Sequence, residues 1–234
     1  MFFAPAPLRR AASTLLDALL SPRCVACAEP ASLADSLCAE CLGGLPPAPA
    51  LCLATSGEGS ISAAVAAFAY AEPVDGLLLR YKFHADLAAG RALGGAALPA
   101  LAVAARPDAL VPVPLHRRRL RERGHDQALL LARDWGRALR LPVRAELLWR
   151  CRHTAPQTAL DADARRRNVA EAFAVRGRLP AHVALVDDVW TTGSTALAAS
   201  QALLRAGAVR VDVWTLARVA APQPSTQPAG VEIR

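Results

Sequence analysis

Residues 182–218 carry the pattern that most restricts the fold of this chain. The run "HVALVDD" predicts a buried strand, "TALAASQALLRAG" predicts a helix that ends at Gly207, and "AVRVDVWTLAR" predicts the next strand. A strand, a helix and a second strand in this order are typical of a crossover between parallel strands. The pattern therefore predicts an α/β protein with a parallel sheet flanked by helices.

The alternation of strands and helices extends back to residue 61. The earlier predicted elements are the strand "ISAAVAAFAY", the helices "PVDGLLLRYKF" and "HADLAAGRALGGAALPALAVAA", the strand "DALVPVP", the helix "GHDQALLLARDWGRALR" and the strand "PVRAELLWR". Pro112 and Pro114 should stop "DALVPVP" from acting as an ordinary central strand beyond Val111, because proline donates no ladder hydrogen bond. Asp126 is the predicted N-cap of the helix that follows. Hydrophobic residues make up 53% of the chain and aromatic residues only 5%, so we expect a core of small aliphatic side chains.

Three segments are expected along the chain. Residues 1–50 should form an N-terminal helix and a cysteine knuckle, 60–218 the α/β domain, and 219–234 a flexible tail; the boundary falls in the Gly-, Pro- and Ser-rich stretch 45–58. Residues 8–20 are predicted as a helix and not as a targeting signal, because Asp17 interrupts the apolar run and no clear cleavage site follows. No segment offers about 18 uninterrupted apolar residues, so we expect a cytoplasmic protein without a membrane span.

Two adjacent carboxylates, Asp187 and Asp188, end the strand "HVALVDD", and a short polar loop follows them. The loop residues are Thr191, Thr192, Gly193, Ser194 and Thr195. Backbone N–H groups at a helix N-terminus bind phosphate without any lysine, and glycine allows close approach of the backbone. The carboxylates suit sugar hydroxyls or a magnesium ion held by the ligand, so the stretch predicts a sugar-phosphate site. The alternative is a capped helix that follows two exposed acids.

Four cysteines form two C-x-x-C pairs, "CVAC" and "CAEC", separated by ten residues. Two such pairs complete a tetrahedral zinc site, and we predict Cys24, Cys27, Cys38 and Cys41 as its ligands. Disulfides or an unmetallated remnant are the alternatives, and a cytoplasmic setting disfavours disulfides. Four thiolates leave no open coordination position, so the zinc should be structural; Cys52 and Cys151 are left outside the site.

Arginine supplies almost all of the positive charge of the chain. The formal net charge is +7, and Lys82 is the only lysine. Two segments concentrate the cationic side chains: His116, Arg117, Arg118, Arg119, Arg121 and Arg123 in the first, and Arg152, Arg165, Arg166 and Arg167 in the second. Guanidinium groups bind phosphates bidentately, so these loops could hold pyrophosphate or follow a nucleic-acid backbone. The alternative is a solvated surface with ordinary ion pairs.

The stretch "VALVDDVWTTGST" resembles the phosphoribosyl-pyrophosphate (PRPP) motif of type I phosphoribosyltransferases, with Trp190 in place of the usual aliphatic residue. The cysteine knuckle, "YKF", "VPVPL", "RGHDQ" and this motif occur in the order seen in the ComF family. Between them runs a further family pattern, matched by Arg152, Gln157, Leu160, Arg165, Asn168, Ala172 and Phe173. His125 replaces the usual aromatic residue of the R-G motif, a change expected to be mild.

The resemblance implies a type I phosphoribosyltransferase-like domain with an N-terminal zinc knuckle. Further C-x-x-C pairs that members of the family often carry are missing here, which leaves room for only one zinc. It implies that Asp187 and Asp188 hold the ribose, that the 191–195 loop holds the phosphate, and that Lys82, Arg123 and Arg152 contact the pyrophosphate of Mg²⁺–PRPP. The expected function is assistance to DNA uptake and natural transformation, with single-stranded DNA and a competence helicase or DNA-processing protein as partners. An active phosphoribosyltransferase that releases pyrophosphate to an unknown acceptor is the alternative, and a binding module without catalysis is a third.

Overall fold

The structure, a computed structural model, describes residues 22–31, 36–49, 61–151 and 172–220. The predicted helix at 8–20, Cys52, the 152–168 arginine segment and nearly all of the predicted tail lie outside these ranges. None of the described helices is both long and apolar enough to cross a lipid bilayer.

The strands of the described chain fall into two sheets. They are β1 (Ala63–Ala69), β2 (Ala109–Pro112), β3 (Leu148–Arg150), β4 (Phe173–Val175), β5 (His182–Trp190) and β6 (Arg210–Arg218). Four strands form a parallel sheet in the order β1-β6-β5-β2, and β3 and β4 form a separate antiparallel pair. The predicted parallel α/β class is therefore confirmed.

The described helices connect and cover these strands. They are α1 (Ala39–Gly43), α2 (Val74–Phe83), α3 (Leu87–Ala102), α4 (Arg117–Arg123), α5 (Gln127–Leu139) and α6 (Ser194–Arg205). Asp126 caps α5 by accepting a hydrogen bond from the Leu129 N–H at 3.0 Å, as predicted. Gly207, with φ 108°, follows the end of α6.

The sheet is buried on both faces. Side chains along a strand point alternately to opposite sides, so one strand contributes to both packed layers. On β6, Val211 and Val213 pack with α6, whereas Trp214 and Leu216 pack with the cluster formed by α2, α3 and α5. The helices therefore lie on both sides of the sheet, and its carboxyl edge stays open for a site.

Two local expectations differ from the structure. The segment read as an arginine-rich loop contains the seven-residue helix α4, which His116 caps at one end and Gly124, with φ 75°, ends at the other. Arginine, leucine and glutamate favour helix, so the local helix propensity explains why this segment is helical. The strand predicted for 142–150 is only Leu148–Arg150, while Val143 forms an isolated bridge with Leu110 beside β2.

Candidate functional site

The two aspartates lie near the carboxyl edge of the parallel sheet, but β5 does not end at Asp188 as predicted, because its pairing with β6 continues to Trp190. Pro112, the last residue of β2, pairs with Val186 of β5, and Asp187 is the next residue along β5. Asp187 is paired with Thr215 of β6, and its Oδ1 accepts a hydrogen bond from the Asp188 N–H at 2.9 Å. Consecutive strand residues face opposite sides of the sheet, so the carboxylates of Asp187 and Asp188 lie in different surroundings.

Asp187 faces the polar loop. It lines a small pocket together with loop residues 191, 193 and 195 and with Thr215. The loop leads directly into α6, whose first N–H groups have no partner within the helix and carry the positive end of its dipole. The arrangement is suited to an anion that is attached to a group bearing hydroxyl donors.

Gly193 fixes the shape of this loop. Its φ of 74° lies in the left-handed region, which glycine adopts at little cost. A Cβ at this position would lie 2.7 Å from Cζ2 of Trp190, so the indole packs against the glycine backbone. Trp190 therefore forms one wall of the pocket. Glycine is favoured at position 193 for two reasons, its positive φ and the close approach of the indole.

The carboxyl group of Asp187 is hard to ionise. Burial raises its pKa, the negative charge of Asp188 raises it further, and the pKa reaches about 7 although the Asp188 N–H and Lys82 oppose the rise. The site in the free protein therefore takes up a proton near neutral pH.

This raised pKa predicts that the protein loses stability as pH rises. The folded state binds the Asp187 proton more tightly than the unfolded chain, so this contribution is complete below the ordinary pKa of 3.8 and is lost as pH rises through about 7. The loss should be on the order of 2–4 kcal/mol. Denaturant unfolding at pH 5 and pH 8 measures it. Asp187→Asn keeps an acceptor for the Asp188 N–H and should lose less stability over this interval; equal losses in both proteins would contradict the assignment.

Asp188 faces α2, where it forms an ion pair with Lys82. The Nζ–Oδ1 distance is 3.0 Å, and the two side chains are only 17% and 13% exposed. The only lysine of the chain is thus held against the acidic pair, which the sequence did not indicate. Its predicted contact with pyrophosphate stays a prediction.

The "RGHDQ" motif joins α2 to α5. Nδ1 of His125 lies 2.9 Å from the Arg123 carbonyl oxygen, and Nε2 lies 2.9 Å from the Tyr81 carbonyl oxygen. The Tyr81 hydroxyl donates a hydrogen bond to the Gln127 carbonyl at 3.0 Å. His125 thus connects the end of α2 to the start of α5.

Arg150 is a cation near the site that sequence reasoning missed. It follows Trp149 on β3, and its guanidinium lies 5.4 Å from the ring centroid of Phe173. Burial and the neighbouring charge of Arg119 lower its pKa, while Asp187 opposes this shift. The charges of Arg119 and Asp187 therefore both act on the guanidinium of Arg150. The predicted Arg152 lies outside the described residues.

The four predicted cysteines come together. Their Sγ atoms all lie within 4.8 Å of one another, and those of Cys27 and Cys38 are 3.7 Å apart. Tetrahedral zinc with Zn–S bonds of about 2.3 Å separates its ligands by about 3.8 Å, so the cluster has the size of a zinc site. Burial opposes ionisation of the Cys24 thiol, but the backbone amides of Cys38, Cys27 and Ala26 outweigh it and lower its pKa to about 6. The cluster therefore fits structural zinc.

The knuckle is attached to the α/β domain through Arg80 of α2. One guanidinium nitrogen donates to the Val25 carbonyl at 2.6 Å, while two others hold Asp86 at 3.0 and 2.6 Å. The zinc site is thereby linked to the helix that also carries Lys82.

Removing one cysteine should release the metal. Cys24→Ser should lower bound zinc from about one ion per chain to a small fraction, because three thiolates hold Zn²⁺ much more weakly than four. Elemental analysis after dialysis against a weak chelator measures this. Cys151→Ser, which removes an exposed thiol outside the cluster, should leave the zinc content unchanged. Full zinc retention by Cys24→Ser would contradict the ligand assignment.

The chain is similar to a zinc ribbon family and to proteins named for competence or DNA utilization. Residues 15–62 match the double zinc ribbon domain family. The DNA utilization protein YhgH of Escherichia coli K12 is 36% identical over 216 residues, which cover 88% of this chain and 87% of that protein. YhgH of Salmonella typhimurium is 36% identical over 209 residues, 83% of this chain and 89% of that protein. Competence protein F of Haemophilus influenzae is 38% identical over 159 residues, 64% of this chain and 69% of that protein.

Proposed function

This chain belongs to the ComF family of competence and DNA utilization proteins, and we propose that it binds PRPP or a related sugar phosphate and assists DNA uptake by binding single-stranded DNA. The observation that carries the ligand assignment is the position of Asp187 in one pocket with the Gly193 loop at the N-terminus of α6. The names of the relatives support the connection with DNA.

The loop and the acidic pair divide the ligand between them. The 5′-phosphate binds the backbone N–H groups of the loop at the start of α6, where no cationic side chain is needed. The ribose hydroxyls donate to the carboxylates of Asp187 and Asp188. An ionised carboxylate accepts these hydrogen bonds more strongly than a protonated one, so binding should favour loss of the Asp187 proton.

The pyrophosphate of the ligand is assigned to the cations around the acidic pair. Lys82 lies 3.0 Å from Asp188, and the charge of Arg150 interacts with that of Asp187. Magnesium that arrives with PRPP would neutralise part of the pyrophosphate charge. Lys82 would then exchange Asp188 for a pyrophosphate oxygen once the ribose hydroxyls occupy that carboxylate.

The second candidate is an active phosphoribosyltransferase, which the interaction of the Arg150 charge with Asp187 favours. In that reaction the bond between ribose C1 and the pyrophosphate oxygen breaks, pyrophosphate leaves with the electron pair, and an acceptor nitrogen forms the new bond to C1 and loses a proton. Arg150 would stabilise the charge that develops on the leaving group.

Two measurements separate these functions. PRPP affinity is compared between the wild type and Asp188→Asn, which should bind about tenfold or more weakly because a neutral amide accepts ribose hydroxyl bonds less strongly. Pyrophosphate release is then followed with purines, pyrimidines and amines as acceptors. Binding without release supports a binding protein, whereas release with one acceptor supports the transferase. Unchanged affinity in both Asp188→Asn and Asp187→Asn would overturn the ligand site.

A further inference from the structure

A second cleft lies beside the acidic pair, between the carboxyl end of α2 and α4. Its volume is about 340 Å³, and it is lined by Lys82, Phe83, Arg119, Glu122 and Arg123. A cleft of this size can accept a ligand as large as one nucleotide. It combines one aromatic ring with an excess of cations.

Phe83 is unusual among the phenylalanines that the structure describes. It is 62% exposed, whereas Phe68 and Phe173 are 7% and 6% exposed. The aromatic content of the chain is low, and this exposed ring stands in the lining of the cleft. A planar, uncharged ring surface is suited to stacking with another planar group.

Arg123 is already stacked loosely on this ring. Its Cζ lies 5.1 Å from the Phe83 ring centroid, and its guanidinium donates to Gln127 Oε1 at 3.2 Å. Both contacts orient the cation at the edge of the cleft. Most of the Phe83 ring remains accessible for a second planar group.

The charges of the cleft favour an anion. Glu122 is the single acid in its lining, and it forms an exposed ion pair with Arg118 at 3.0 Å. Arg119 and Arg123 contribute two guanidinium groups, which bind phosphate oxygens well. The cleft therefore matches a ligand with one flat apolar face and one phosphate.

We propose that this cleft binds one nucleotide of single-stranded DNA, with its base stacked on Phe83 and its phosphate held by Arg119 and Arg123. A base in a duplex is covered on both faces by its neighbours, so only a single strand can offer a free face. The inference rests on the DNA binding proposed above and gives it a location. Lys82 lines the cleft and also pairs with Asp188, so the bound strand passes next to the candidate ribose-phosphate site.

The test measures binding of two fluorescent probes to the full chain by anisotropy. One probe is a twelve-nucleotide thymidine strand, and the other is an abasic strand of the same length and charge. The wild type should bind the thymidine strand about tenfold more tightly, because each stacked base contributes substantially to affinity. Phe83→Leu, which keeps an apolar side chain but removes the ring, should bind both probes equally, and Phe83→Trp should restore the preference.

Trp149→Leu is the matched control. Trp149 is also partly exposed and carries the guanidinium of Arg176 at 4.5 Å from its ring centroid, but it does not line the cleft. This variant should keep the wild-type preference. PRPP titration of Phe83→Leu checks that the variant is folded and that the neighbouring site is intact.

The results distinguish failure of the nucleotide cleft from failure of the proposed DNA binding. If the wild type prefers the thymidine strand and Phe83→Leu keeps that preference, the inference is overturned while the proposed DNA binding stands. Equal binding of both probes by the wild type also overturns the inference alone. If the wild type binds neither probe, the DNA part of the proposed function fails together with the inference.

Discussion

Gly193→Val is expected to weaken PRPP binding by at least about 100-fold. Valine is β-branched and strained at a φ of 74°, at a cost of about 1–2 kcal/mol or more. Its Cβ would also stand 2.7 Å from Cζ2 of Trp190, so the indole or the loop must move. Both effects displace the N–H groups that are assigned to the 5′-phosphate, and isothermal titration with PRPP measures the loss.

Two further variants distinguish the cause of this loss. Gly177 has a similar φ of 80°, but an added Cβ would meet only Leu147 Cδ2 at an ordinary 3.6 Å. Gly177→Val should therefore reduce stability while leaving PRPP affinity within about threefold of the wild type. Removing the indole in the double variant Gly193→Val, Trp190→Ala should recover part of the affinity. Wild-type affinity in Gly193→Val would show that the loop does not bind the ligand.

Gly90→Ala should destabilise the protein by about 3 kcal/mol. Gly90 is buried in α3, and an added Cβ would lie 2.6 Å from Cδ2 and 2.7 Å from Cζ of Tyr81. Tyr81 is 2% exposed, so its ring cannot move aside without disturbing α2 or the hydrogen bond from its hydroxyl to the Gln127 carbonyl. PRPP affinity should fall as well, because the next residue of α2 is Lys82, which pairs with Asp188.

Gly95→Ala is the control for this change. Gly95 lies in the same helix, and nothing lies within 4 Å of an added Cβ. Alanine is the better helix former, so Gly95→Ala should stabilise the protein by about 0.5–1 kcal/mol. Denaturant unfolding of both variants gives the comparison. Equal stability of the two variants would contradict the close packing of Gly90 on Tyr81.

Local patterns predicted the frame of the molecule well. The runs around β5, α6 and β6 have clear periodicity and a glycine stop, so the parallel sheet followed directly, although β5 ends at Trp190 and not at Asp188 as predicted. The clustering of the four cysteines was also predicted from a local pattern, because two C-x-x-C pairs define a set of zinc ligands by their spacing alone.

Contacts between distant segments were beyond sequence reasoning. Lys82 was singled out as the only lysine, but its pairing with Asp188 depends on how α2 packs over the sheet edge. Arg150 could not be predicted as a neighbour of the site, because a strand of three residues is too short for its pattern to indicate which side chain faces the site. The segment of helix α4 was predicted as a loop because its clustered arginines indicate phosphate binding, but arginine, leucine and glutamate also favour helix.

The central claim is that the Asp187–Asp188 pair and the Gly193 loop together bind a ribose phosphate. Isothermal titration of the wild-type chain with PRPP, with and without Mg²⁺, tests it most directly. One PRPP should bind per chain in the presence of Mg²⁺, and excess ribose 5-phosphate should compete for the same site. Failure of both PRPP and ribose 5-phosphate to bind, by a chain that is folded and carries zinc, would contradict the claim.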